Sequence, residues 1–160
     1  TGAPDLMVPW SGQQPVWLLP TMTAQTTNGV TITGNSIGGG QYDAWHVADG
    51  GANSYVQWNN GGAGYCDVEL AAPVILSSYE LGARTEASSQ LYAPKSWALR
   101  AWDGLAWQTF SSPSDAGAWS AGENRTFAAT APFATTKYRF DFSASQSGTY
   151  LQWRGLRMWA

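Results

Sequence analysis

The sequence predicts an all-β domain, built as a sandwich or a barrel, on two observations. No stretch of the 160 residues spaces its apolar residues as a helix of convincing length would. Short segments alternate apolar and polar residues instead, and Gly, Asn, Ser or Pro interrupts them about every ten residues. In TTKYRFDFSA, for example, Tyr138, Phe140 and Phe142 share one strand face, while the charged residues between them share the other.

Residues 1–27 differ from the rest and are predicted to form an extended arm or linker. Proline is poorly tolerated in central strands. The arm is expected to pack Trp10 and Trp17 on this domain or on a neighbour, so residues 1–20 are a candidate contact for a homo-oligomer or a larger assembly. Four of the eight prolines lie in this arm: Pro4, Pro9, Pro15 and Pro20.

The main domain, residues 28–160, is predicted to consist of short strands. An Asp103-Gly104 pair between SWALRAW and LAWQTF is a strong signal for a hairpin turn. The predicted strands are, in order, GVTIT, SYVQW, YCDVELA, PVILSSYELGA, SWALRAW, LAWQTF, NRTFAAT, TTKYRFDFSA and TYLQWRGLRMW.

The last of these strands changes phase at Gly155. Leu151 and Trp153 lie on one parity, whereas Leu156 and Met158 lie on the other. A β-bulge at the glycine would return both pairs to the core, so the sequence predicts a bulge there.

Composition excludes some partners. The net charge is −3 and only 12% of residues are charged, against about 25% in an average protein. Eight scattered Lys and Arg residues give no basic footprint for nucleic acid. No apolar run approaches the roughly 20 residues of a membrane span. A surface rich in Ser, Thr, Asn, Gln and Gly favours neutral polar ligands.

Four segments, taken in order, resemble the discoidin domain. They are AWHVADGGANSYVQW, CDVELAAPVILSSYELGART, APKSWALRAWDGLAW and TKYRFDFSASQSGTYLQWRGLRMW. This domain is also called the factor V/VIII type C domain, a galactose-binding-like group that includes the family-32 carbohydrate-binding modules. The resemblance covers nearly the whole main domain. It implies a jelly-roll sandwich of two antiparallel sheets with about eight strands, and ligand loops at one end.

The resemblance also places tryptophans of the hairpin. Trp97 and Trp107 fall on core positions, and Trp97 alternates in phase with Leu99. Trp102 lies out of phase with Trp97 and Leu99, so it either covers a sheet face or contacts a partner. Trp45 is expected in the core.

Many discoidin-like domains bind a structural calcium ion, so a calcium site is a further expectation. Asp49 matches the expected carboxylate, and Asn53 or Ser54 would add a side-chain oxygen. The position of the usual glutamate falls on Gly155, and calcium needs six to eight oxygens. The alternative is that Asp49 caps a turn by accepting hydrogen bonds from backbone N–H groups.

The resemblance places saccharide-binding residues on the end loops. Arg84 matches a position that donates to sugar hydroxyls, and its alternative role is an ion pair with Glu86 or Glu80. Trp119, in a glycine-flanked loop, is expected to be exposed and to contact a ligand or partner. His46 is either a sugar contact or a plain surface histidine. The candidate ligand residues are Arg84, Trp119, Tyr42, Asp43, His46, Glu86, Gln90, Asn60 and Tyr150.

The sequence gives no sign of catalysis. Glycoside hydrolysis needs two carboxylates across a cleft, and serine hydrolysis needs a nucleophile motif. The single cysteine, Cys66, is expected to be buried, and His46 is the only histidine.

Two functions remain. One is a non-catalytic, lectin-like module that binds a cell-surface glycan or a polysaccharide. The other is a structural adhesion or receptor-binding module of a larger particle, such as a phage-like tail fibre or head decoration. Both imply a place outside the cell, at a cell surface or on a virion-like particle.

Overall fold

The computed structural model describes residues 16–35, 42–51, 54–59 and 61–160. In this part of the chain two antiparallel sheets of a β-sandwich carry the fold, which confirms the predicted class. The expectations for Trp10, Asn53 and Asn60 lie outside the described residues.

Ten strands are described, against about eight expected for a jelly roll. One sheet has six strands in the order β1-β2-β4-β9-β6-β7, and the other has four in the order β3-β10-β5-β8. The strands are β1 (Thr26–Thr27), β2 (Val30–Gly34), β3 (Val56–Trp58), β4 (Gly64–Val74), β5 (Ser78–Gly82), β6 (Pro94–Trp102), β7 (Trp107–Ser111), β8 (Asn124–Ala128), β9 (Thr135–Ser145) and β10 (Leu151–Trp159).

Aromatic residues fill the space between the sheets. Tyr138, Phe140 and Phe142 of β9 are all buried, as their alternation predicts. From the opposite sheet, Trp58 and Trp153 stack in parallel with ring centroids 6.4 Å apart. The apolar parity of each strand therefore faces inward, and the polar parity forms the outer faces.

The bulge predicted at Gly155 is present. The pairing of β10 with β5 runs through Arg154 and Gly82, and then shifts register before Arg157 and Glu80. Gly155 has a φ of +69°, which a glycine adopts without steric cost. Because of this shift, the apolar residues on both sides of the glycine are buried.

Part of the expected arm packs on the domain. Trp17 forms a bridge with Trp159, and the N–H of Leu18 donates to the Met158 carbonyl over 3.0 Å. Met22 is fully buried. Residues 16–22 therefore extend the sandwich, although the Trp17 side chain remains 57% exposed.

The β6–β7 hairpin turns at Asp103 and Gly104, as predicted. Trp97 is buried in the core, but the core position expected for Trp107 is wrong. Trp107 pairs directly with Trp102 across the hairpin, and directly paired residues point to the same face. Trp102 is out of phase with the core, so both indoles lie half-buried on the outer face.

Helical structure is limited to short turns in the described residues. Two 3-10 helices span Ala44–Ala48 and Ser89–Tyr92. No helix in this part of the chain has the length and apolarity that crossing a bilayer requires.

Candidate functional site

Three loops meet at one end of the sandwich, around the start of β6. The backbone N–H of Gln146 donates to the Ala93 carbonyl over 3.0 Å. The Gln146 side-chain amide donates to the Gly117 carbonyl over 2.9 Å, and the Trp119 indole N–H donates to the Pro94 carbonyl over 2.8 Å. The loops before β6, after β7 and after β9 are thus tied together.

Arg84 is the centre of a polar cluster at this end. Its Nε donates to Glu86 Oε2 over 3.0 Å, and its Nη2 lies 2.8 Å from Glu86 Oε1. Its Nη1 donates to Gln152 Oε1 over 2.6 Å. The guanidinium lies over the Tyr55 ring, 3.5 Å from the ring centroid. We call Tyr42, Tyr55, Arg84, Glu86 and Gln152 the Arg84 cluster.

These contacts hold the guanidinium in one orientation without using all of its donors. An arginine side chain has five N–H groups in a fixed fork. The three contacts to Glu86 and Gln152 take one N–H each. Two N–H groups remain without a partner among the described residues. The Arg84 side chain is 15% exposed, so solvent reaches part of this fork.

A chain of amides supports the cluster from the neighbouring strand. Gln152 is itself buried, and its side-chain amide donates to Gln57 Oε1 over 2.6 Å. The Gln57 amide donates in turn to Asn59 Oδ1 over 2.6 Å. Gln152 and Gln57 are also direct partners in the β10–β3 register. These hydrogen bonds fix the Gln152 side-chain oxygen, which accepts from Arg84 and so orients it.

The electrostatics of the cluster favour a charged Glu86 and a neutral Tyr55. The hydrogen bond from Arg84 lowers the pKa of Glu86 below its ordinary value. Burial, followed by the neighbouring Tyr42 phenol, raises the pKa of Tyr55. The Tyr42 and Tyr55 ring centroids are 5.2 Å apart. At neutral pH the cluster therefore combines one ion pair with the uncharged Tyr55 phenol.

A second aromatic pair lies next to the cluster in sequence. Tyr150 contacts the edge of Tyr92, with ring centroids 5.6 Å apart. Tyr150 is 42% exposed and comes two residues before Gln152. Gln90 lies in the same 3-10 helix as Tyr92, and its side-chain oxygen is buried without a donor among the described residues.

The expectation of an exposed Trp119 is wrong. Its side chain is only 5% exposed, its indole N–H bonds to the Pro94 carbonyl, and Arg125 lies over its ring, 4.2 Å from the centroid. The loop folds back because the indole can both fill the end of the core and satisfy its N–H. Trp119 therefore presents no surface to a ligand.

His46 and Asp49 lie in a different place from the Arg84 cluster. They line a cleft of about 220 Å³ with Glu80, Arg154 and Gly155. His46 Nδ1 is 2.7 Å from Asp49 Oδ2, and its ring stacks on Trp45, which packs against the core.

Asp43 precedes the first 3-10 helix. Its backbone carbonyl accepts from the His46 N–H over 3.0 Å, and its carboxylate does not cap that helix. Asp43, expected among the sugar contacts, and Asp49, expected as a calcium ligand or turn cap, thus have different roles in this segment.

The described side chains at this turn do not fit a calcium ion. Asp49 Oδ1 accepts from the Gly51 backbone N–H over 2.8 Å, and Oδ2 faces His46, which is the turn-capping alternative. Ser54 closes the same turn by donating its N–H to the Gly51 carbonyl. Gly155 offers no side chain. Among the described residues there is no group of three His, Cys, Asp or Glu side chains that could hold a metal.

Of the predicted ligand residues, Arg84, Glu86 and Tyr42 converge in one cluster, and the expected ion pair of Arg84 forms with Glu86. Glu80 pairs instead with Arg157, at 3.0 Å. Sequence reasoning missed Tyr55, Gln57 and Gln152. Their signal was present in the alternation of SYVQW and LQW, which turns these polar residues away from the core.

Comparison with known proteins supports the fold through structure alone. No protein-family model and no curated protein matches the chain. Many solved structures have the same fold, and the three described here match at low sequence identity. A family-32 carbohydrate-binding module from Clostridium perfringens, in complex with GalNAc-β-1,3-galactose, is 16% identical with a TM-score of 0.66, over 82% of this chain and 96% of that one.

The other two structures match the chain about equally well. An F5/8 type C domain from Bacteroides fragilis is 16% identical with a TM-score of 0.67, over 81% of this chain and 90% of that one. A chitosan-binding module of a chitosanase/glucanase from Paenibacillus sp. is 15% identical with a TM-score of 0.64, over 82% and 96%. The protein thus has the discoidin-like fold that its sequence segments resemble.

Proposed function

We propose that the protein is a non-catalytic carbohydrate-binding module and that the Arg84 cluster is its saccharide site. The observation that carries the proposal is the Arg84 guanidinium, clamped by Glu86 and Gln152 over the Tyr55 ring with two N–H groups left over. A planar fork of this kind suits two adjacent hydroxyls of a sugar ring. Because the fork is already ordered, binding costs little side-chain entropy.

The neighbouring side chains supply the other contacts that a saccharide needs. Glu86 is charged and its side chain is 46% exposed, so it can accept from a hydroxyl group. Tyr150 offers a partly exposed ring on which the C–H face of a sugar can pack. Donor, acceptor and ring lie on loops that meet at one end of the sandwich.

The ligand class is a neutral saccharide of a cell-surface glycan or a polysaccharide. The cluster pairs its charges internally, so it has no net charge to attract an ionic group. One fold neighbour is in complex with GalNAc-β-1,3-galactose, which is a neutral disaccharide. A single open site of this kind binds with a Kd in about the millimolar to micromolar range, and several copies raise the avidity. We place the protein outside the cell, where such glycans lie.

The test is binding to a glycan array by the full chain, labelled and presented multivalently. Arg84→Ala removes the fork, Arg84→Lys keeps the charge but not the fork, and Tyr150→Ala removes the stacking ring. Arg157→Ala is the matched control, because it removes an arginine that pairs with Glu80 away from the cluster. Circular dichroism and thermal unfolding establish that each variant is folded.

The expected result is that Arg84→Ala and Tyr150→Ala lose array binding while Arg157→Ala keeps it. Arg84→Lys should fall between, since a point charge cannot address two hydroxyls at once. Binding that survives in the folded Arg84→Ala variant would refute the assignment of the site. No binding by the wild type to any saccharide would refute the function.

A second candidate function is a structural adhesion or assembly module, which one observation favours. Val16 and Trp17 are 58% and 57% exposed at the point where the arm joins the sandwich, beside Trp159 and Arg157. Exposed apolar residues grouped in this way are typical of contact surfaces. Light scattering of the full chain and of Trp17→Ser tests this function. An oligomer lost in the variant supports it, and a monomer in both excludes self-assembly through Trp17.

A further inference from the structure

The outer face of the six-stranded sheet carries a hollow of about 180 Å³ that the loop-end cluster does not use. Trp107 forms one wall. Side chains of three neighbouring strands form the rest. We call this feature the sheet-face hollow, and the side chains that line it are Thr31, Thr33, Asp67, Glu69, Lys137 and Trp107.

Strand register brings the polar groups of the hollow together. Thr31 pairs with Glu69, which pairs with Lys137, in one row across β2, β4 and β9. In the next row Thr33 pairs with Asp67. Directly opposed residues share a face, so two hydroxyls, two carboxylates and one ammonium group point outward from rigid strands.

The Trp107 ring is held in place from two sides. Arg139 lies 4.6 Å from its centroid and is fixed by two hydrogen bonds to Asp67, of 2.6 and 2.7 Å. The same guanidinium also packs on Tyr65, with 4.0 Å to the ring centroid. Trp102 meets Trp107 edge to face, at a centroid distance of 5.4 Å. An indole fixed in this way loses little rotamer freedom when it binds a ligand.

The charges around the hollow cancel in pairs. Asp67 is matched by Arg139, and Glu69 lies 3.4 Å from the Lys137 ammonium. A site without net charge selects against ionic ligands, because it gives nothing to offset the loss of their hydration. The carboxylate oxygens and hydroxyls can still form hydrogen bonds, which is the combination that a neutral polyhydroxylated ring requires.

We propose that the sheet-face hollow is a second saccharide site, which takes one ring of a neutral polysaccharide chain against Trp107. The hollow is smaller than the about 300 Å³ of the smallest ligand pockets, and it suits one ring of a chain better than a whole ligand. The proposal assumes saccharide binding by the domain, but it does not require the Arg84 cluster to be the first site. Two sites on different faces would let one module bind two polysaccharide chains, or two positions along one polysaccharide chain.

The experiment follows the indole N–H signals of the full chain by NMR during titration with chitin, laminarin and galactan hexasaccharides. Each probe is added to about 10 mM, above the Kd of about 1 mM that marks a weak site. Trp107→Ala identifies the signal. Thr33→Tyr fills the hollow with a residue that strands favour and leaves Trp107 in place. Trp17→Ala is the matched control, because Trp17 is an exposed indole that neither lines the hollow nor contacts Trp107.

We expect at least one hexasaccharide to shift the Trp107 indole signal. In Thr33→Tyr the affinity at this site should fall at least about tenfold, which corresponds to about 1.4 kcal/mol, and Trp17→Ala should retain the site. A Trp107 signal that none of the three probes moves would overturn the proposal, and so would a shift that persists in Thr33→Tyr.

Arg84→Ala separates this proposal from the loop-end site. If the Trp107 shift persists in that variant while array binding is lost, both sites exist. If array binding depends on Arg84 and Trp107 does not respond, the sheet-face hollow is not a site and the proposed function stands. If Trp107 responds and the Arg84→Ala variant binds the array as well as the wild type does, the hollow is a site and the Arg84 cluster is not.

Discussion

Substitution of Trp119 is the most direct test of whether a loop tryptophan packs in the core or contacts a ligand. Its loop sequence suggests an exposed indole, whereas the side chain is 5% exposed and hydrogen-bonded to the Pro94 carbonyl. Trp119→Ala therefore removes core volume, one hydrogen bond and the stacking partner of Arg125. We expect this variant to be destabilised rather than impaired in binding alone.

The size of the effect follows from these contacts. Truncating a buried tryptophan to alanine costs about 3–5 kcal/mol. Loss of the indole hydrogen bond alone costs about 1 kcal/mol, which is most of the cost expected for Trp119→Phe. For a domain of this length each kcal/mol lowers the Tm by about 2–4 °C, so Trp119→Ala should lower it by about 6–20 °C.

Urea unfolding at equilibrium, followed by tryptophan fluorescence and circular dichroism, measures the free energy directly. The matched comparison is Trp17→Ala, since the Trp17 side chain is 57% exposed. This substitution should cost less than about 1 kcal/mol, as surface substitutions do. A Trp119→Ala variant as stable as Trp17→Ala, but unable to bind saccharide, would refute the buried placement and restore the role of a ligand contact.

Three further predictions test other parts of the molecule. Gly155→Ala should cost about 1–2 kcal/mol through its left-handed backbone alone, because an added Cβ meets nothing closer than 3.6 Å. Gly117→Ala, with the same φ of +69°, should cost the same in urea unfolding, and a much larger cost at Gly155 would contradict this reasoning. Saccharide binding at the Arg84 cluster should be constant from about pH 8 to pH 5, because Glu86 stays charged until the pH falls below the ordinary glutamate pKa of about 4.3; titration calorimetry across this range would detect an earlier loss. Burial raises the pKa of the Cys66 thiol, so a thiol reagent should label it only after unfolding, and rapid labelling of the folded chain would contradict its burial.

The lowered pKa of Glu86 determines how the stability of the fold depends on pH. A carboxyl group whose pKa is lower in the folded protein stabilises the fold above its ordinary pKa. That contribution is lost as the pH falls through the lowered value. The pair is more than a third exposed on the Glu86 side, so solvent screens it. We therefore expect protonation of Glu86 to change the saccharide affinity more than the free energy of unfolding.

Alternation and turn residues predicted most of the sandwich. The bulge at Gly155 was predictable because a strand must keep its apolar residues on one side, and a phase change within it requires an extra residue. Residues 16–18 were not predictable as strand partners of the last strand, since long-range pairing leaves no local pattern. Trp107 was assigned to the core by resemblance, but hairpin register, which depends on the length of the turn, placed it outside.

The site was harder to predict than the fold, for a physical reason. Whether a loop aromatic is exposed depends on the space that other loops leave, and Trp119 fills such a space under the Pro94 carbonyl. Tyr55 and Gln152 were missed because a polar residue on an outer strand face is ordinary until a third residue, here Arg84, reaches over it. Function at this end is assembled from residues with no shared motif.

The two roles considered for Arg84, ion-pair partner and sugar donor, are parts of one arrangement. An unrestrained arginine loses about 2 kcal/mol of side-chain entropy on being fixed, which is large against the affinity of a weak saccharide site. Glu86, Gln152 and Tyr55 have already fixed Arg84 in the unbound protein. Glu86→Gln should therefore weaken saccharide binding even where the glutamate does not contact the sugar, because the fork then loses part of its ordering before binding. If Glu86→Gln binds as tightly as the wild type while Arg84→Ala does not bind, the guanidinium acts without its clamp and this account of the site is wrong.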